Sequence, residues 1–301
     1  MPDNYDLAII GGGPGGYVAA IRAAQLGAKV ALVEEAEVGG VCLNRGCIPT
    51  KALLTSAELL TQIKHAADFG IQVTGVSLDL AKVRERKRQV VQQLVNGVKL
   101  LLKSNGVTVV AGRGKLAGPK SVAVGNDAIE AERIIVATGS SPAGLPIPGA
   151  DGPHIMYSDQ ALELDEVPPR LLVIGGGAIG VEMASIYHAL GSQVSVVEMM
   201  STLIPNEDPE LGRLLAKLLE AQGIKVLTGT GVSRIESEGG WSRAVLDKGQ
   251  TIEAERVLVA VGRRPNTRDL GLENLGIKLN RGCIVVGKGQ QTDVPGIYAI
   301  G

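Results

Sequence analysis

YDLAIIGGGPGG, residues 5–16, joins a short apolar segment to a cluster of glycines. The apolar segment predicts a buried β-strand, and the alanine-rich residues 17–26 predict a helix that ends near Gly27. Residues 28–34, AKVALVE, then predict a second strand that ends at Glu34. This order of elements predicts a βαβ unit in which a glycine turn, Gly11 to Gly16, connects the first strand to the helix.

The same pattern occurs a second time in the chain. RLLVIGGGAIG at residues 170–180 is followed by a helical segment and by SQVSVVE at 192–198. Gly11 precedes Glu34 by 23 positions, and Gly175 precedes Glu198 by the same 23. The repeat predicts an α/β protein with two Rossmann-like dinucleotide-binding domains.

Each turn has the residue types that a dinucleotide site needs. Glycines let the backbone approach a pyrophosphate, and the N-terminus of the following helix supplies N–H groups and the positive end of its dipole. The glutamate that ends the second strand can accept hydrogen bonds from ribose hydroxyls. A glycine turn also occurs for plain packing, but the duplicated spacing favours two binding sites over that interpretation.

The residues around Glu198 indicate which nucleotide the second unit binds. A carboxylate at this position would repel a 2′-phosphate, and the following MMSTL offers no arginine to bind one. NAD is therefore expected rather than NADP. Two dinucleotide sites in one chain suggest electron transfer between two dinucleotides, one of them a flavin.

GGVCLNRGCIPTK, residues 39–51, contains two of the three cysteines in the chain. A structural disulfide between Cys42 and Cys47 would close a very short loop, which gives little stabilisation. A structural zinc site is disfavoured because the remaining cysteine and the three histidines have no metal-like spacing. A redox pair fits better, since a regular helix holds residues five apart too far for a disulfide and Gly46 can absorb the necessary distortion. The helix predicted after Cys47 would favour the thiolate form that exchange requires.

Composition excludes several other classes of function. Thirty basic and thirty-one acidic side chains nearly balance, and only seven aromatic residues are present, so a nucleic-acid surface is not expected. The first residues show neither a signal peptide nor a membrane span, and with so few cysteines we expect a protein of the reducing cytoplasm. Forty-five per cent hydrophobic residues over 301 positions support two domains.

Residues 141–152, SPAGLPIPGADG, have the proline and glycine content of a linker. We place the first domain at 1–146, the second at 147–265 and a return to the first at 266–301. Residues 78–104 predict a helix, in which KVRERKRQ at 82–89 forms a solvated face. A helix at about 208–222 and alternating strands at 224–260 complete the second domain.

Six segments together resemble the flavoprotein disulfide reductases, and within them the branch that oxidises dihydrolipoyl groups. They are GGGPGG (11–16), GGVCLNRGCIPTK (39–51), ATGS (137–140), GGGAIGVE (175–182), AVGRRPNT (260–267) and TDVPGIYAIG (292–301). The resemblance implies FAD on the first domain and NAD on the second.

The resemblance also implies a role for individual residues. Cys47 would lie next to the flavin ring, Cys42 would be the outer thiol that exchanges with substrate, and Lys51 and Glu182 would form an ion pair beside the flavin. The implied FAD-binding residues are Gly11, Gly13, Gly16, Glu34, Lys51, Gly114, Thr138, Gly139 and Ser140. The implied NAD-binding residues are Gly175, Gly177, Gly180, Glu198 and Gly262, and no metal ligand is implied.

The implied reaction moves two electrons from a dihydrolipoyl group through a Cys42–Cys47 disulfide and FAD to NAD. The implied partner is the dihydrolipoyl domain of a 2-oxo acid dehydrogenase or glycine cleavage complex, and the full-length form would be a homodimer. Because the family's histidine–glutamate pair has no counterpart in this sequence, and His65, His154 and His188 lie outside its motif, we expect a fragment with little turnover. A related disulfide or mercuric reductase and a non-catalytic nucleotide-binding redox module stay as alternatives.

Overall fold

A computed structural model describes residues 4–163 and 165–301 of the chain. Residues 1–3 and Leu164, which the sequence assigns to the first and second domains, lie outside the described residues. The helices of the described part are α1 (Pro14–Gln25), α2 (Gly40–Arg45), α3 (Cys47–Lys64), α4 (Leu80–Ser104), α5 (Ser158–Glu163), α6 (Ala178–Leu190) and α7 (Pro209–Ala221), with 3-10 turns at Ala66–Phe69 and Glu273–Leu275.

Most of the β-strands are short. They are β1 (Asn4–Ile10), β2 (Val30–Glu34), β3 (Thr108–Ala111), β4 (Gly114–Gly118), β5 (Ser121–Val124), β6 (Asp127–Val136), β7 (Ser140–Pro142), β8 (Ile155–Met156), β9 (Arg170–Ile174), β10 (Gln193–Glu198), β11 (Lys225–Thr228), β12 (Val232–Glu238), β13 (Trp241–Leu246), β14 (Thr251–Ala254), β15 (Arg256–Val259), β16 (Arg263–Pro265), β17 (Leu279–Asn280), β18 (Cys283–Ile284) and β19 (Ile297–Ala299).

The first compact unit comprises residues 4–48, 89–141 and 264–301. Its parallel strands run in the order β3-β2-β1-β6, and β19 pairs with β6, while β6, β5 and β4 form an antiparallel meander. One core cluster packs α1 and the end of α4 against the sheet through Ala20, Val95, Val98 and Leu102. A second cluster lies around Leu116, Val122, Leu270 and Leu272. Strands β1 and β2 are nearly continuous apolar runs because both of their faces are buried.

The second compact unit comprises residues 49–88 and 142–263. Its parallel strands run in the order β11-β10-β9-β15-β8, and β12, β13 and β14 form a separate antiparallel sheet. The core contains side chains of α3, α5, α6 and α7, including Leu53, Leu162, Met183, Ile186 and Leu219. The order of β11, β10, β9 and β15 matches that of β3, β2, β1 and β6 in the first unit, so the duplicated sequence pattern corresponds to a duplicated sheet order.

The chain passes from one unit to the other four times. The crossings near the predicted linkers fall at 141/142 and 263/264, against 146/147 and 265/266 in the sequence-based division. The other two crossings, at 48/49 and 88/89, were not predicted and place residues 49–88 in the second unit. The physical reason is that Leu53 belongs to the core of the second unit, with Leu54, Leu60, Leu80 and Val83 packed against that core.

The prediction that the basic residues of α4 form a solvated face is wrong for Lys87. Its side chain is only 4 % exposed, and its Nζ donates to the carbonyl of Leu162 at 2.7 Å and contacts Glu163 at 3.3 Å. Arg84 pairs with Asp165 at 2.7 Å in the same region. Lysines near a helix C-terminus satisfy its last carbonyls and its dipole, and the aliphatic stem can be buried. The basic stretch therefore holds α5 in place.

Glu163 shows the electrostatic consequence of this arrangement. Partial burial works against its ionisation, but Lys87 and Arg88 outweigh burial, so the pKa of Glu163 lies below its ordinary value. The carboxylate at the end of α5 is therefore kept charged by residues of α4.

Within residues 4–163 and 165–301, no helix combines the length and the apolar character needed to cross a bilayer.

Two adjacent leucines of α4 test this packing. Leu102 is fully buried in the first unit and Leu101 is 51 % exposed. We expect Leu102→Ala to lower the free energy of unfolding by about 2–5 kcal/mol, because it leaves a cavity beside β1 and β2. Leu101→Ala is the matched control and should change it by less than about 0.5 kcal/mol. Urea unfolding followed by circular dichroism measures both, and equal effects would contradict the assigned core.

Candidate functional site

The first glycine turn is fixed by contacts that leave no room for side chains. Gly11 has a φ of +107°, and a Cβ there would lie 2.2 Å from the carbonyl oxygen of Ala137. A Cβ on Gly16 would lie 1.8 Å from the carbonyl oxygen of Gly11. Gly13 differs, because the nearest atom to its Cβ position is 3.8 Å away. Two of the three glycines are therefore required by packing, and a Cβ on the middle one would make only an ordinary contact, with Gly40.

The second glycine turn repeats this geometry. Gly175 has a φ of +110°, with a Cβ position 2.4 Å from the carbonyl oxygen of Ala260, and a Cβ on Gly180 would lie 1.9 Å from the carbonyl oxygen of Gly175. No atom lies within 4 Å of the Cβ position of Gly177. Gly13 and Gly177 are also the N-caps of α1 and α6, and neither helix has a side-chain cap. Each turn thus leaves the first N–H groups of its helix without a side-chain cap, which fits an anionic pyrophosphate.

The two predicted glutamates hold these turns by the same hydrogen bonds. Glu34 accepts from Gly12 N at 2.7 Å and from Ala36 N at 2.8 Å. Glu198 accepts from Gly176 N at 2.6 Å and from Met200 N at 2.7 Å. Each carboxylate oxygen has a further lone pair, so both glutamates can still accept a ribose hydroxyl. The sequence predicted that second role and did not predict the first.

The thiol segment lies directly against the first glycine turn. Gly39 N donates to Gly12 O at 2.8 Å, and a Cβ on Gly40 would lie 2.6 Å from the Cα of Gly13. Both glycines have positive φ, +99° and +58°, which a side chain would disfavour. α2 begins at Gly40 and carries Cys42, so that cysteine is two residues from the turn contact.

The two cysteines lie on consecutive helices that are separated by Gly46. α2 ends at Arg45 and α3 begins at Cys47, so the predicted interruption is present. A Cβ on Gly46 would lie 3.0 Å from Val41 O and 3.2 Å from the Cα of Cys42. A glycine here lets the chain return close to Cys42. Cys42 is half-buried and Cys47 is exposed.

Lys51 and Glu182 form the predicted ion pair, within the second unit. Lys51 Nζ lies 2.6 Å from Glu182 Oε1, with the side chains 57 % and 31 % exposed. Such an exposed pair adds little to stability. It does place a positive charge at a fixed position on α3.

The remaining predicted residues have identifiable local roles. Gly114 begins β4, where a Cβ would lie 2.9 Å from a methyl group of Ile10, so a side chain there would displace Ile10. Gly262 has a φ of +127°, and its carbonyl accepts from Ala143 N at 2.9 Å.

Asn266 is a residue of this site that sequence reasoning did not single out. Its Nδ2 donates to Thr138 O at 3.0 Å and its Oδ1 accepts from Ser141 Oγ at 2.7 Å. Asn266 N donates to Gly139 O, and Thr138 Oγ1 donates to Asn266 O. These bonds fix the backbone of residues 138–141. The signal available in the sequence was the asparagine inside GRRPNT.

Known proteins resemble this chain in sequence and in structure. A family model described as pyridine nucleotide-disulphide oxidoreductase matches residues 5–301. The chain belongs to the pyridine nucleotide-disulphide oxidoreductases.

Individual members of this family are similar over the whole chain. Dihydrolipoyl dehydrogenase of Acholeplasma laidlawii is 42 % identical over 306 residues, which cover 100 % of this chain and 90 % of that protein. Dihydrolipoyl dehydrogenase of Thermus scotoductus is 47 % identical over 306 residues, covering 99 % and 66 %. The solved Cu(II) complex of the HOCl-induced flavoprotein disulfide reductase RclA from Escherichia coli superposes with a TM-score of 0.87 at 32 % identity, covering 99 % and 66 %.

The predicted family resemblance, α/β fold class and cofactors are confirmed by these matches, because pyridine nucleotide-disulphide oxidoreductases of the dihydrolipoyl dehydrogenase type use FAD and NAD. The residues present fit these cofactors, since each turn combines a middle glycine that has no neighbour within 3.5 Å of its Cβ position with an uncapped helix N-terminus. A cavity of about 560 Å³ adjoins Glu34, with Val38, Val107 and Lys103 among its lining residues. Among the described residues, no group of three or more His, Cys, Asp or Glu side chains could hold a metal ion.

Alanine substitutions of the two middle glycines, Gly13 and Gly177, test which turn binds which nucleotide. We expect Gly13→Ala to weaken FAD binding by about tenfold or more, because the methyl group occupies the space that a pyrophosphate needs. Gly177→Ala should weaken NADH binding to a similar extent and leave FAD binding unchanged. Flavin retention and NADH titration measure the two effects.

Gly97→Ala is the control, since Gly97 lies within α4 and no atom is within 4 Å of its Cβ position. It should leave both affinities unchanged and stabilise the helix by up to about 1 kcal/mol. A Gly13→Ala chain that folds and binds FAD normally would contradict the assignment of the first turn.

Proposed function

We propose that this chain performs the electron transfer of a dihydrolipoyl dehydrogenase, taking two electrons from a dihydrolipoyl group through Cys42, Cys47 and FAD to NAD. The observation that carries the proposal is the position of α2 on the first glycine turn, defined by the Gly39–Gly12 hydrogen bond and the Gly40–Gly13 approach. This contact supports placing the thiols beside the first dinucleotide site and not on a remote surface. The names of the similar proteins support the choice of dihydrolipoyl groups as substrate.

We assign the FAD site to the first unit and the NAD site to the second. The N–H groups of α1 would bind the FAD pyrophosphate, with Glu34 positioned for a ribose hydroxyl and the backbone of Thr138–Ser140 and Gly114 positioned for the rest of the nucleotide. The N–H groups of α6, with Glu198 and the loop at Gly262, would bind NAD. Bound flavin supplies the two-electron carrier that links a thiol pair to a nicotinamide.

The thiol step uses only residues of this chain and the substrate. A dihydrolipoyl thiolate attacks Cys42 Sγ of the oxidised pair, and the Cys42–Cys47 bond breaks to release the Cys47 thiolate. The second substrate thiolate then attacks the mixed disulfide, which releases Cys42 and the oxidised lipoyl group. Two electrons have passed from the substrate to the cysteine pair. Lys51 is fixed by Glu182, and on the family resemblance alone we propose that it supplies a positive charge for the flavin.

Accessibility alone would assign the exchange with substrate to Cys47, which is the reverse of the roles proposed above. Cys47 is the more exposed and Cys42 is half-buried. We propose that the exposed side of Cys47 is the surface that FAD covers, which leaves Cys42 to exchange with substrate. We propose that the partner that presents the substrate is a dihydrolipoyl domain of a 2-oxo acid dehydrogenase or glycine cleavage complex, and that a homodimer binds this domain in the cytoplasm.

Serine variants test this function. We expect Cys42→Ser and Cys47→Ser each to slow the reduction of bound flavin by dihydrolipoamide by about 100-fold or more, because neither variant can form the disulfide. Loss of the visible flavin absorbance under single-turnover conditions measures the rate, independently of how fast the 301-residue chain turns over. Cys283→Ser is the control and should react like the unchanged chain, since Cys283 is exposed on β18.

The second candidate function is a related reductase that acts on another disulfide or on a metal ion. It is favoured by the similarity to RclA, whose solved structure is a Cu(II) complex. Rapid flavin oxidation by glutathione disulfide or Cu(II), combined with no reaction with dihydrolipoamide, would replace the first proposal with the second. Binding of both dinucleotides without electron transfer would indicate a non-catalytic module.

The preference for NAD has its own test. Glu198 is 8 % exposed and accepts two backbone hydrogen bonds, so the position of its side chain is fixed at the turn. We expect NADH to reduce the flavin at least about tenfold more effectively than NADPH, because a 2′-phosphate would be placed near a carboxylate that cannot move away. Glu198→Gln should narrow this ratio through improved use of NADPH. Equal rates with the two nucleotides in the unchanged chain would contradict the role of Glu198.

A further inference from the structure

The helix that carries Cys42, α2, is too short to be stable without contacts to other residues. α2 has six residues, and isolated helices of this length do not form in water because nucleation is unfavourable. Its place must therefore come from contacts with the rest of the first unit. One contact is Leu43, which is buried in the core with Val38. The side-chain amide of Asn44 supplies another.

Asn44 connects α2 to the loop that precedes it. Its Nδ2 donates to the carbonyl oxygens of Gly40 at 3.0 Å, Val38 at 3.2 Å and Glu37 at 3.4 Å. An amide has two N–H groups, so three carbonyls share them. Within the same loop, Gly39 N donates to Gly12 O of the first glycine turn. One side chain thus joins the thiol helix to the loop that touches the dinucleotide site.

We propose that Asn44 is a positioning residue for the Cys42–Cys47 pair. It lies two residues after one cysteine and three before the other, and it fixes the backbone from which both side chains start. The inference rests on the proposed thiol–disulfide function. The effective concentration of one thiol at the other sets the stability of their disulfide, and that concentration depends on how well the segment is held.

The chemistry of the position requires an amide. Aspartate has the same shape but would bring a carboxylate without a hydrogen to three carbonyl oxygens, and alanine would leave those carbonyls without this donor. Asn105 provides a matched comparison in the same unit. Its Nδ2 donates to Leu101 O at 2.8 Å, the same four-residue spacing as Asn44 to Gly40, and no other acceptor is found for it among the described residues.

The test measures the equilibrium between the thiol pair and dithiothreitol. The purified 301-residue chain, Asn44→Ala, Asn44→Asp, Asn105→Ala and Asn105→Asp are equilibrated with mixtures of oxidised and reduced dithiothreitol. Two electrons and two protons pass from Cys42 and Cys47 to the oxidised reagent as the disulfide forms. Acid quenching, alkylation and peptide mass spectrometry then give the fraction of Cys42–Cys47 disulfide at each mixture.

We expect both Asn44 variants to lower the equilibrium constant for the disulfide by about tenfold, which is a shift of about +30 mV in potential for this two-electron couple. Both Asn105 variants should match the unchanged chain. Circular dichroism confirms folding, and Asn44→Asp supplies the measurement if Asn44→Ala does not fold. Reduced stability of the Asn44 variants with an unchanged potential would show a merely structural role and overturn the inference.

The outcomes separate this inference from the proposed function. If the unchanged chain forms no Cys42–Cys47 disulfide in any mixture, the redox function fails and the inference fails with it. If the unchanged chain forms the disulfide and the Asn44 variants have the same potential as the Asn105 variants, only the positioning role is overturned.

Discussion

The structure depends on the close approach of each glycine turn to its own helix. The backbone of Gly16 lies so near Gly11 O, and that of Gly180 so near Gly175 O, that a Cβ would fall within 2 Å of the carbonyl. This approach aims the helix N-terminus at the end of the first strand, where an anion can meet its N–H groups. A buried or half-buried glutamate from the neighbouring strand then holds the second glycine of each turn. The two sites are therefore built largely by backbone, with one carboxylate each.

The same backbone hydrogen bond leads to different elements in the two units. In the first unit Gly39 N donates to Gly12 O, and in the second unit Ile204 N donates to Gly176 O, both at 2.8 Å. Both donors have positive φ, +99° at Gly39 and +42° at Ile204. After this bond, the first unit continues into the thiol helix and the second into the approach to α7. The two units therefore diverge after one shared contact, and in the first unit the segment that follows carries Cys42 and Cys47.

Side-chain nitrogen donors fix several short segments through backbone carbonyls. Lys87 holds the end of α5 through Leu162 O, and Asn44 holds α2 through three carbonyls. Asn266 fixes the backbone of residues 138–141 in a comparable way. In each case the side-chain donors meet backbone carbonyls that would otherwise be left without these hydrogen bonds.

The sequence alone determined the two βαβ units, the order of their elements and the break between Cys42 and Cys47 at Gly46, because apolar periodicity and turn residues act locally on the backbone. The resemblance of six sequence segments indicated the family. Only the tertiary structure decided which glycines are required by packing and which are not, since that depends on atoms such as Ala137 O and Ala260 O that are far along the chain. It also decided that residues 49–88 join the second unit and that Lys87 is buried. A charged stretch has the same local sequence pattern whether its side chains face water or a distant carbonyl. Contacts between residues remote in sequence determine which of these side chains are buried.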